Sequence, residues 1–221
     1  MEIANVVEKW TGVVQEVTIG ATKEEGGTRG KTVTIGGANS LPFMDFDGSP
    51  GHKPAIAMDV YDIPPEDWPE PLLKHYEDVV NNPANWAKKC AEEYGADLIC
   101  LKLDGIHPDR ANKGTDETVS TVKSILEAVE IPLIIWGCEN DERDNEILPK
   151  VSEATKGEKC LIGGATQENY KTITAVCLAD GHNLITQAPV DINIGKQINI
   201  LVTDLGFPTD RIVMFQTTGA L

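Results

Sequence analysis

The sequence lacks the features that direct a chain to nucleic acid or to a membrane. It has no run rich in lysine and arginine, and 35 acidic against 19 basic residues give a net charge of −16. Polyanionic partners bind through a positively charged face, so we expect neither nucleic acid nor an anionic membrane as a partner. No uninterrupted apolar run approaches the ~18 residues of a membrane span, and the opening MEIANVVEKW lacks a signal-peptide pattern. We therefore expect a cytoplasmic protein.

Closely spaced cysteine pairs are missing as well. The five cysteines, Cys90, Cys100, Cys138, Cys160 and Cys177, are widely separated along the chain. Iron–sulfur clusters and zinc ions usually take their ligands from short pairs such as C-x-x-C. The sequence therefore predicts no iron–sulfur cluster and no other metal site on this chain. Most of these cysteines lie in apolar patterns, which predicts buried free thiols.

The dominant pattern that is present is an alternation of apolar runs with amphipathic helical segments. Near-continuous hydrophobicity is typical of parallel strands that are covered on both faces. Strand–helix alternation at roughly thirty-residue spacing predicts βαβ units. Since no G-x-G-x-x-G follows the first run, a (β/α) barrel is favoured over a doubly wound dinucleotide-binding sheet. The runs that we assign as strands are 55–62, 98–105, 132–138, 160–166, 183–190 and 211–219.

The amino-terminal quarter follows a different pattern. Two short β-rich runs, 13–19 and 32–36, flank a glycine-rich stretch and predict an antiparallel hairpin. We assign residues 1–54 to this hairpin and a loop that pack on the barrel, and residues 55–221 to the barrel itself. An eight-stranded barrel typically needs ~250 residues. The fold class predicted is therefore α/β, a TIM (β/α)8-type barrel truncated after about six strands, within one structural domain.

In parallel barrels, ligands bind at the carboxyl ends of the strands. The side chains expected there are mainly amides and hydroxyls, with carboxylates among them, and they include no Ser–His–Asp set. We predict no catalytic residue at this rim. Turn or helix-cap roles remain the alternative for Asp104, Gly105, Asp191 and Thr166. The residues predicted to contact a cofactor are Asp104, Gly105, Asn140, Thr166, Gln167, Asn169, Gln187, Asp191, Asn193, Thr217, Thr218 and Gly219.

Two further side chains carry separate hypotheses. Strand alternation places Lys102 on the inner face of the barrel, where it either pairs with Asp59 or acts as a Schiff-base lysine; the ion pair is favoured. Asp180-Gly181-His182 begins a D-x-H-x-x-G corrinoid motif, but Ile185 occupies the glycine position and the tripeptide precedes a strand. We therefore predict that His182 is not a cobalt ligand.

Taken together, the segments resemble a known family. The stretches that carry the likeness are 20–37 (GATKEEGGTRGKTVTIGG), 82–105 (NPANWAKKCAEEYGADLICLKLDG), 144–151 (DNEILPKV), 160–183 (CLIGGATQENYKTITAVCLADGHN) and 188–201 (APVDINIGKQINIL). They are similar to the small (delta) subunit of the corrinoid iron–sulfur protein in the acetyl-CoA decarbonylase/synthase system. One departure is Phe215-Gln216, which stands where the family typically has Asp-Pro.

The resemblance implies a (β/α)8 barrel that pairs with a large (gamma) subunit. That large subunit carries the iron–sulfur cluster and a cobamide, which the two subunits share. The pair carries a methyl group from a methyltetrahydropterin methyltransferase to acetyl-CoA synthase, in the reductive acetyl-CoA pathway. On this basis the chain is expected not to be catalytic alone. Two enzyme alternatives remain open: a pterin-dependent methyltransferase barrel, and an aldolase-like barrel that uses Lys102.

Overall fold

The amino-terminal hairpin is present and short. The computed structural model describes residues 11–40 and 48–216 of the chain. β1 (Val17–Ile19) pairs antiparallel with β2 (Val33–Ile35), and the hydroxyls of Thr18 and Thr34 lie 3.0 Å apart across the pair. β-Branched residues fill both strands, as expected for short extended segments. The predicted hairpin is confirmed.

The predicted parallel strands form one sheet. Each strand pairs in parallel with the next along the chain, in the order β3-β4-β5-β6-β7-β8. Within the described ranges β3 and β8 are the two edges and no barrel closes, so the TIM barrel is not confirmed. What the structure establishes is an α/β fold with six parallel strands. The strands are β3 (Ala57–Tyr61), β4 (Leu98–Lys102), β5 (Leu133–Trp136), β6 (Leu161–Ala165), β7 (Asn183–Gln187) and β8 (Ile212–Phe215).

Helices connect the strands, and their ends follow local chemistry. Asn82 caps α2, because its side chain accepts a hydrogen bond from the Asn85 N–H, and Pro83 occupies the first turn, where no N–H donor is needed. Gly181 ends α5 with φ +84, a left-handed conformation that favours glycine. The helices are α1 (Glu70–Leu73), α2 (Pro83–Glu92), α3 (Thr115–Ala128), α4 (Asp141–Ala154), α5 (Tyr170–Asp180) and α6 (Ile192–Asp204).

The sheet buries a different set of side chains on each face. Ile99 and Leu101 of β4 are fully buried in the helix-facing core. Leu98, Cys100 and Lys102 alternate onto the inner face, as predicted, where they line a cavity of about 400 Å³. The hairpin covers part of this face with side chains from β1 and β2. The inner-face cluster comprises Val17, Ile19, Leu98, Cys100, Trp136, Leu161 and Ile185.

A buried arginine fixes the hairpin loop to the sheet. Arg29 is 3% exposed, and its Nε donates to Glu158 Oε2 at 2.8 Å. Its other guanidinium nitrogens donate to the carbonyls of Leu126 and Val129 at the end of α3. A buried guanidinium is tolerated only when its donors are satisfied in this way. The loop of the hairpin is therefore held by the amino-terminal side of the sheet. The proposed division at residue 54 stays a prediction.

The five cysteines are all buried and unpaired, as predicted. Burial raises the pKa of the Cys100, Cys138 and Cys160 thiols to about 12, so they stay protonated at neutral pH. Within the two described ranges, no group of three or more His, Cys, Asp or Glu side chains is arranged to hold a metal ion. None of the helices described is both long and apolar enough to cross a membrane.

Candidate functional site at the carboxyl ends of the strands

The predicted site residues that the structure describes gather at one edge of the sheet. They follow β4, β5, β6 and β7, whose carboxyl ends point the same way because the strands are parallel. Thr217, Thr218 and Gly219 lie outside the described residues. The others are Asp104 and Gly105 after β4, Asn140 after β5, Thr166, Gln167 and Asn169 after β6, and Gln187, Asp191 and Asn193 around the end of β7 and the start of α6.

After β4, the predicted contacts serve the loop itself. Residues Asp104–Ile106 form a 3₁₀ turn, so the turn role is confirmed for Asp104 and Gly105. The Gly105 N–H donates to Asp62 Oδ1 at 2.7 Å, and Arg110 pairs with Asp104 at 2.9 Å. Burial raises the pKa of the Asp62 carboxyl, and Lys113 lies 3.6 Å from its second oxygen. These contacts brace the ends of β3 and β4 against each other.

After β5, a helix cap and a buried carboxyl occupy the rim. Asn140 caps α4, since its side-chain oxygen accepts a hydrogen bond from the Arg143 N–H at 3.1 Å. Asp144 lies one turn later and is buried, with the Cys138 N–H donating to its Oδ1 at 2.8 Å. Burial raises the pKa of Asp144 to about 6. The sequence interpretation missed this group, although the acidic run DERD directly after a strand was an available signal.

After β6, Thr166 and Asn169 hold the loop in place. The Thr166 hydroxyl donates to Asp141 Oδ1 at 2.9 Å, which joins this loop to the start of α4. Asn169 is buried, and its Oδ1 accepts from the Thr166 N–H at 2.8 Å. The structural role considered for Thr166 is thus present, although as a loop tie and not as the cap of α5. Gln167 is exposed and donates to Gln197 on α6 at 3.2 Å.

After β7, Asp191 is the cap of α6. Its Oδ1 accepts hydrogen bonds from the N–H groups of Asn193 and Ile194, at 2.8 and 3.2 Å. This confirms the cap interpretation of the carboxylate. Asn193 occupies the second position of the helix and is exposed. Of the two, only Asn193 has a side chain that the helix itself does not use.

We expect Asp191→Ala to lower the free energy of unfolding by about 1 kcal/mol, because two helix N–H groups lose their acceptor. Chemical denaturation followed by circular dichroism measures the difference. Asn193→Ala is the matched control, with an expected change below about 0.5 kcal/mol. Equal losses in the two variants would contradict the assignment of Asp191 as the helix cap.

A small polar pocket lies between the ends of β5, β6 and β7. Its volume is about 170 Å³. Carboxylates, a hydroxyl and an amide surround it, whereas the inner cavity beneath is mostly apolar. Trp136 lines both spaces and so separates them. The pocket is lined by Trp136, Glu139, Asp141, Asp144, Gly164, Thr166 and Gln187.

Lys102 points inward but does not form the predicted ion pair. Its ammonium lies 4.1 Å from the centroid of the Trp136 ring, an arrangement in which the negative face of the indole attracts the cation. No contact within 4.0 Å joins Lys102 to Asp59 among the described ion pairs, although both side chains line the inner cavity. The aromatic ring takes the place that sequence alternation had assigned to the carboxylate.

His182 is a structural residue, in agreement with its rejection as a cobalt ligand. It is fully buried at the amino-terminal end of β7. Its Nδ1 accepts from the Cys160 N–H at 3.1 Å, and its Nε2 lies 3.0 Å from the Ser152 carbonyl oxygen. Burial lowers the pKa of His182, so the imidazole is neutral and satisfies both backbone groups.

Comparison with known proteins places the chain in a family. The family described as "CO dehydrogenase/acetyl-CoA synthase delta subunit" matches residues 16–221. The acetyl-CoA decarbonylase/synthase complex subunit delta of Archaeoglobus fulgidus is 40% identical over 216 residues, which are 97% of this chain and 48% of that protein. The Methanocaldococcus jannaschii subunit delta is 35% identical, over 97% of this chain and 53% of its own length. The Methanosarcina thermophila subunit delta 1 is 35% identical, over 100% and 50%.

This chain therefore spans about half the length of the curated relatives that it matches. The similarity extends through the hairpin, the six strands and the rim, since it covers nearly every residue from 16 onward. The chain belongs to the family of CO dehydrogenase/acetyl-CoA synthase delta subunits.

Proposed function

We propose that this chain is the small subunit of a corrinoid methyl carrier. In this role it covers a cobamide that is shared with a large (gamma) subunit. The carrier receives a methyl group from a methyltetrahydropterin methyltransferase and delivers it to acetyl-CoA synthase in the reductive acetyl-CoA (Wood–Ljungdahl) pathway, inside the cytoplasm. The observation that carries the proposal is a family match over 16–221 combined with a polar rim at the carboxyl ends of the strands.

The side chains at the rim fit the periphery of a cobamide. A corrin ring carries amide groups around its edge, and these groups need both hydrogen-bond donors and acceptors. Gln167 and Asn193 present exposed amides after β6 and at the start of α6. Gln187 lies at the end of β7 and lines the rim pocket, and its amide has no hydrogen-bond partner within the described ranges. These three amides offer both kinds of group.

The remaining rim residues keep the surface rigid. Asp62, Asn140, Asn169 and Asp191 bind backbone N–H groups of their own loops, so their contribution is to position the loops. A surface fixed before binding loses little freedom when a ligand is bound. The cobamide supplies the cobalt atom that carries the methyl group. This chain contributes the contacts to its edge and the exclusion of water from one side.

We further propose that a complete barrel includes more strands than the six described. The sheet has open edges at β3 and β8, and an open edge leaves backbone groups unpaired. The curated relatives are about twice as long as this chain. Additional βα units that pair with both edges would give the (β/α)8 barrel and enclose the inner cavity.

The experiment that tests the role is co-purification with the large subunit, followed by measurement of bound cobalt and of the corrinoid absorption spectrum. We expect a heterodimer that contains cobamide. The double variant Gln167→Ala/Asn193→Ala should lose cobamide roughly three- to thirtyfold faster, because two hydrogen bonds of about 1 kcal/mol each are removed. Both positions are exposed, so the fold should be retained.

The matched control is Lys156→Ala, an exposed residue just beyond the end of α4, on the side of the sheet away from the rim. Its cobamide retention should equal that of the wild type. Unchanged retention in the rim variant would contradict the proposed contact surface. If the isolated chain methylated free cobalamin from a methyltetrahydropterin, the enzyme alternative would replace the carrier role. Borohydride trapping of a substrate on Lys102 would favour the aldolase-like alternative.

A further inference from the structure

The rim pocket contains a hydrogen-bond donor that the described part of the chain leaves unused. Trp136 is 6% exposed, and its indole N–H has no acceptor. A buried donor without a partner costs about 1–3 kcal/mol, so such groups are uncommon and call for an explanation. Lys102 cannot supply one, because its ammonium is itself a donor and lies over the ring. An acceptor brought by a ligand would satisfy the N–H group.

The same pocket also holds unused acceptors. Glu139 forms no ion pair or side-chain hydrogen bond within the residues described, and its backbone adopts φ +64. Such a conformation is uncommon outside glycine and is frequent at functional sites. Asp141 uses one oxygen for the Thr166 hydroxyl, and Asp144 uses one for the Cys138 N–H. Carboxylate oxygens therefore face a space that lacks a matching donor.

The dimensions of the pocket limit what it can hold. A water molecule takes about 30 Å³ of liquid volume, so about 170 Å³ accommodates only a group of a few heavy atoms. Gly164 keeps part of this space open, since a Cβ there would collide with the Gln187 side-chain oxygen. The Gln187 amide presents both a donor and an acceptor at this wall.

The chemistry of these groups distinguishes between classes of ligand. An ammonium or guanidinium group carries only donors and would leave the Trp136 N–H unpaired. A carboxylate or phosphate carries only acceptors and would meet Glu139, Asp141 and Asp144 at close range, which like-charge repulsion disfavours. A primary carboxamide has an acceptor oxygen and two N–H donors on one small planar group. It matches the donor and the acceptors together.

We propose that the pocket between β5, β6 and β7 is a subsite for a primary carboxamide. The amide oxygen accepts from the Trp136 N–H, and the amide NH₂ donates to the carboxylate oxygens on the α4 side. Gln187 completes the pair of hydrogen bonds at the opposite wall. The source of the carboxamide rests on the proposed function: one amide arm of the corrin ring is the group that would enter this pocket.

The test uses small-molecule probes and the indole N–H signals of the full chain in two-dimensional NMR. We expect acetamide to shift the Trp136 N–H resonance downfield in a saturable manner, because the proton gains an acceptor. Methyl acetate, which has an acceptor and no N–H donor, should give at most about a third of that shift at equal concentration. Methylammonium, which has only donors, should give none.

Trp86 provides an internal control within the same spectrum. Its indole N–H is also buried without a partner, but its ring is packed in the helix-facing core and lines none of the rim pocket. Its resonance should not move with acetamide. The two signals are assigned with Trp136→Phe or, if that variant does not fold, by their response to Gln187→Leu.

Two variants link the shift to this particular pocket. Gly164→Ala fills part of the space, and Gln187→Leu removes the amide wall; each should abolish at least about four-fifths of the acetamide shift. An undiminished shift in both variants, or an equal response to methyl acetate or methylammonium, would overturn the subsite. Cobamide retention in the heterodimer is measured separately. Loss of the shift with retained cobamide refutes only this inference, whereas an intact shift without any cobamide refutes only the proposed function.

Discussion

Replacing Arg29 with methionine is expected to lower the free energy of unfolding by about 3–5 kcal/mol. The change leaves Glu158 as a buried carboxylate that has lost its ion-pair partner, and unpaired buried charges cost about this much. The carbonyls of Leu126 and Val129 also lose their donors. Urea denaturation followed by circular dichroism gives the difference directly, and the hairpin loop should become sensitive to proteolysis at lower urea concentration.

The control for this prediction is Lys31→Ala, two residues along the same loop. Lys31 pairs with Asp97 at 3.9 Å, and about half of its side chain is exposed. Exposed pairs of this kind contribute about 0–1 kcal/mol, because water screens both charges. A loss of similar size in the two variants would mean that the Arg29 cluster does not hold the hairpin loop.

The second prediction concerns Asp144→Asn, which is expected to stabilise the protein at pH 7.5 by about 3 kcal/mol. Burial raises the pKa of Asp144 from 3.8 to about 6 in the folded chain. Ionisation at neutral pH therefore costs folding free energy, and a difference of about two pKa units corresponds to about 3 kcal/mol. Asparagine keeps an oxygen for the Cys138 N–H without the charge.

The sign of the pH dependence follows from the same shift. The folded chain binds a proton at Asp144 between about pH 6 and pH 4, where the unfolded chain does not. The stability from this group is therefore fully present below about pH 4 and is lost as the pH rises through 6. The lowered pKa of His182 acts in the opposite direction below pH 6.5, but equally in both proteins. The difference between them thus isolates Asp144.

Urea denaturation at pH 7.5 and at pH 4.5 measures this difference. The advantage of Asp144→Asn should shrink by at least half at the lower pH. Glu153→Gln on the same helix is the control, since Glu153 is exposed and should show no comparable change. An advantage that is the same at both pH values, or absent, would contradict the burial argument.

Strand positions were predictable because period and composition determine them locally. Each of the six apolar runs contains the strand observed, and the assignments are only a few residues too long. The excess lies mainly at the carboxyl ends, where residues such as Asp104 enter turns. Closure of the barrel was not predictable in the same way, since it depends on which strands meet across the sheet.

Helix α4 shows where local patterns mislead. Its first turn is acidic and Pro149 lies inside it, so the segment lacks the signals of an ordinary helix. It forms nevertheless, because Ile147, Leu148 and Val151 are fully buried against the sheet. Packing of an apolar face outweighs the unfavourable proline.

The rim illustrates the limit of reasoning about sites. The sequence located the correct edge of the sheet, since strand ends can be read from the chain. It did not separate side chains that cap or tie loops, such as Asn140 and Asn169, from those that face a ligand. It also did not find Asp144, which reaches the pocket from within a helix. These distinctions depend on distances between loops that are far apart in sequence.

The Arg29–Glu158 contact also sets an order of assembly. It joins residues that are 129 positions apart, whereas each strand pair of the main sheet joins neighbours in the chain. Contacts of long sequence separation cost more chain entropy to close, and they form late. We therefore expect the strand–helix units to assemble first and the hairpin to dock onto them last. Once docked, the hairpin would act as a kinetic lock that mainly slows unfolding.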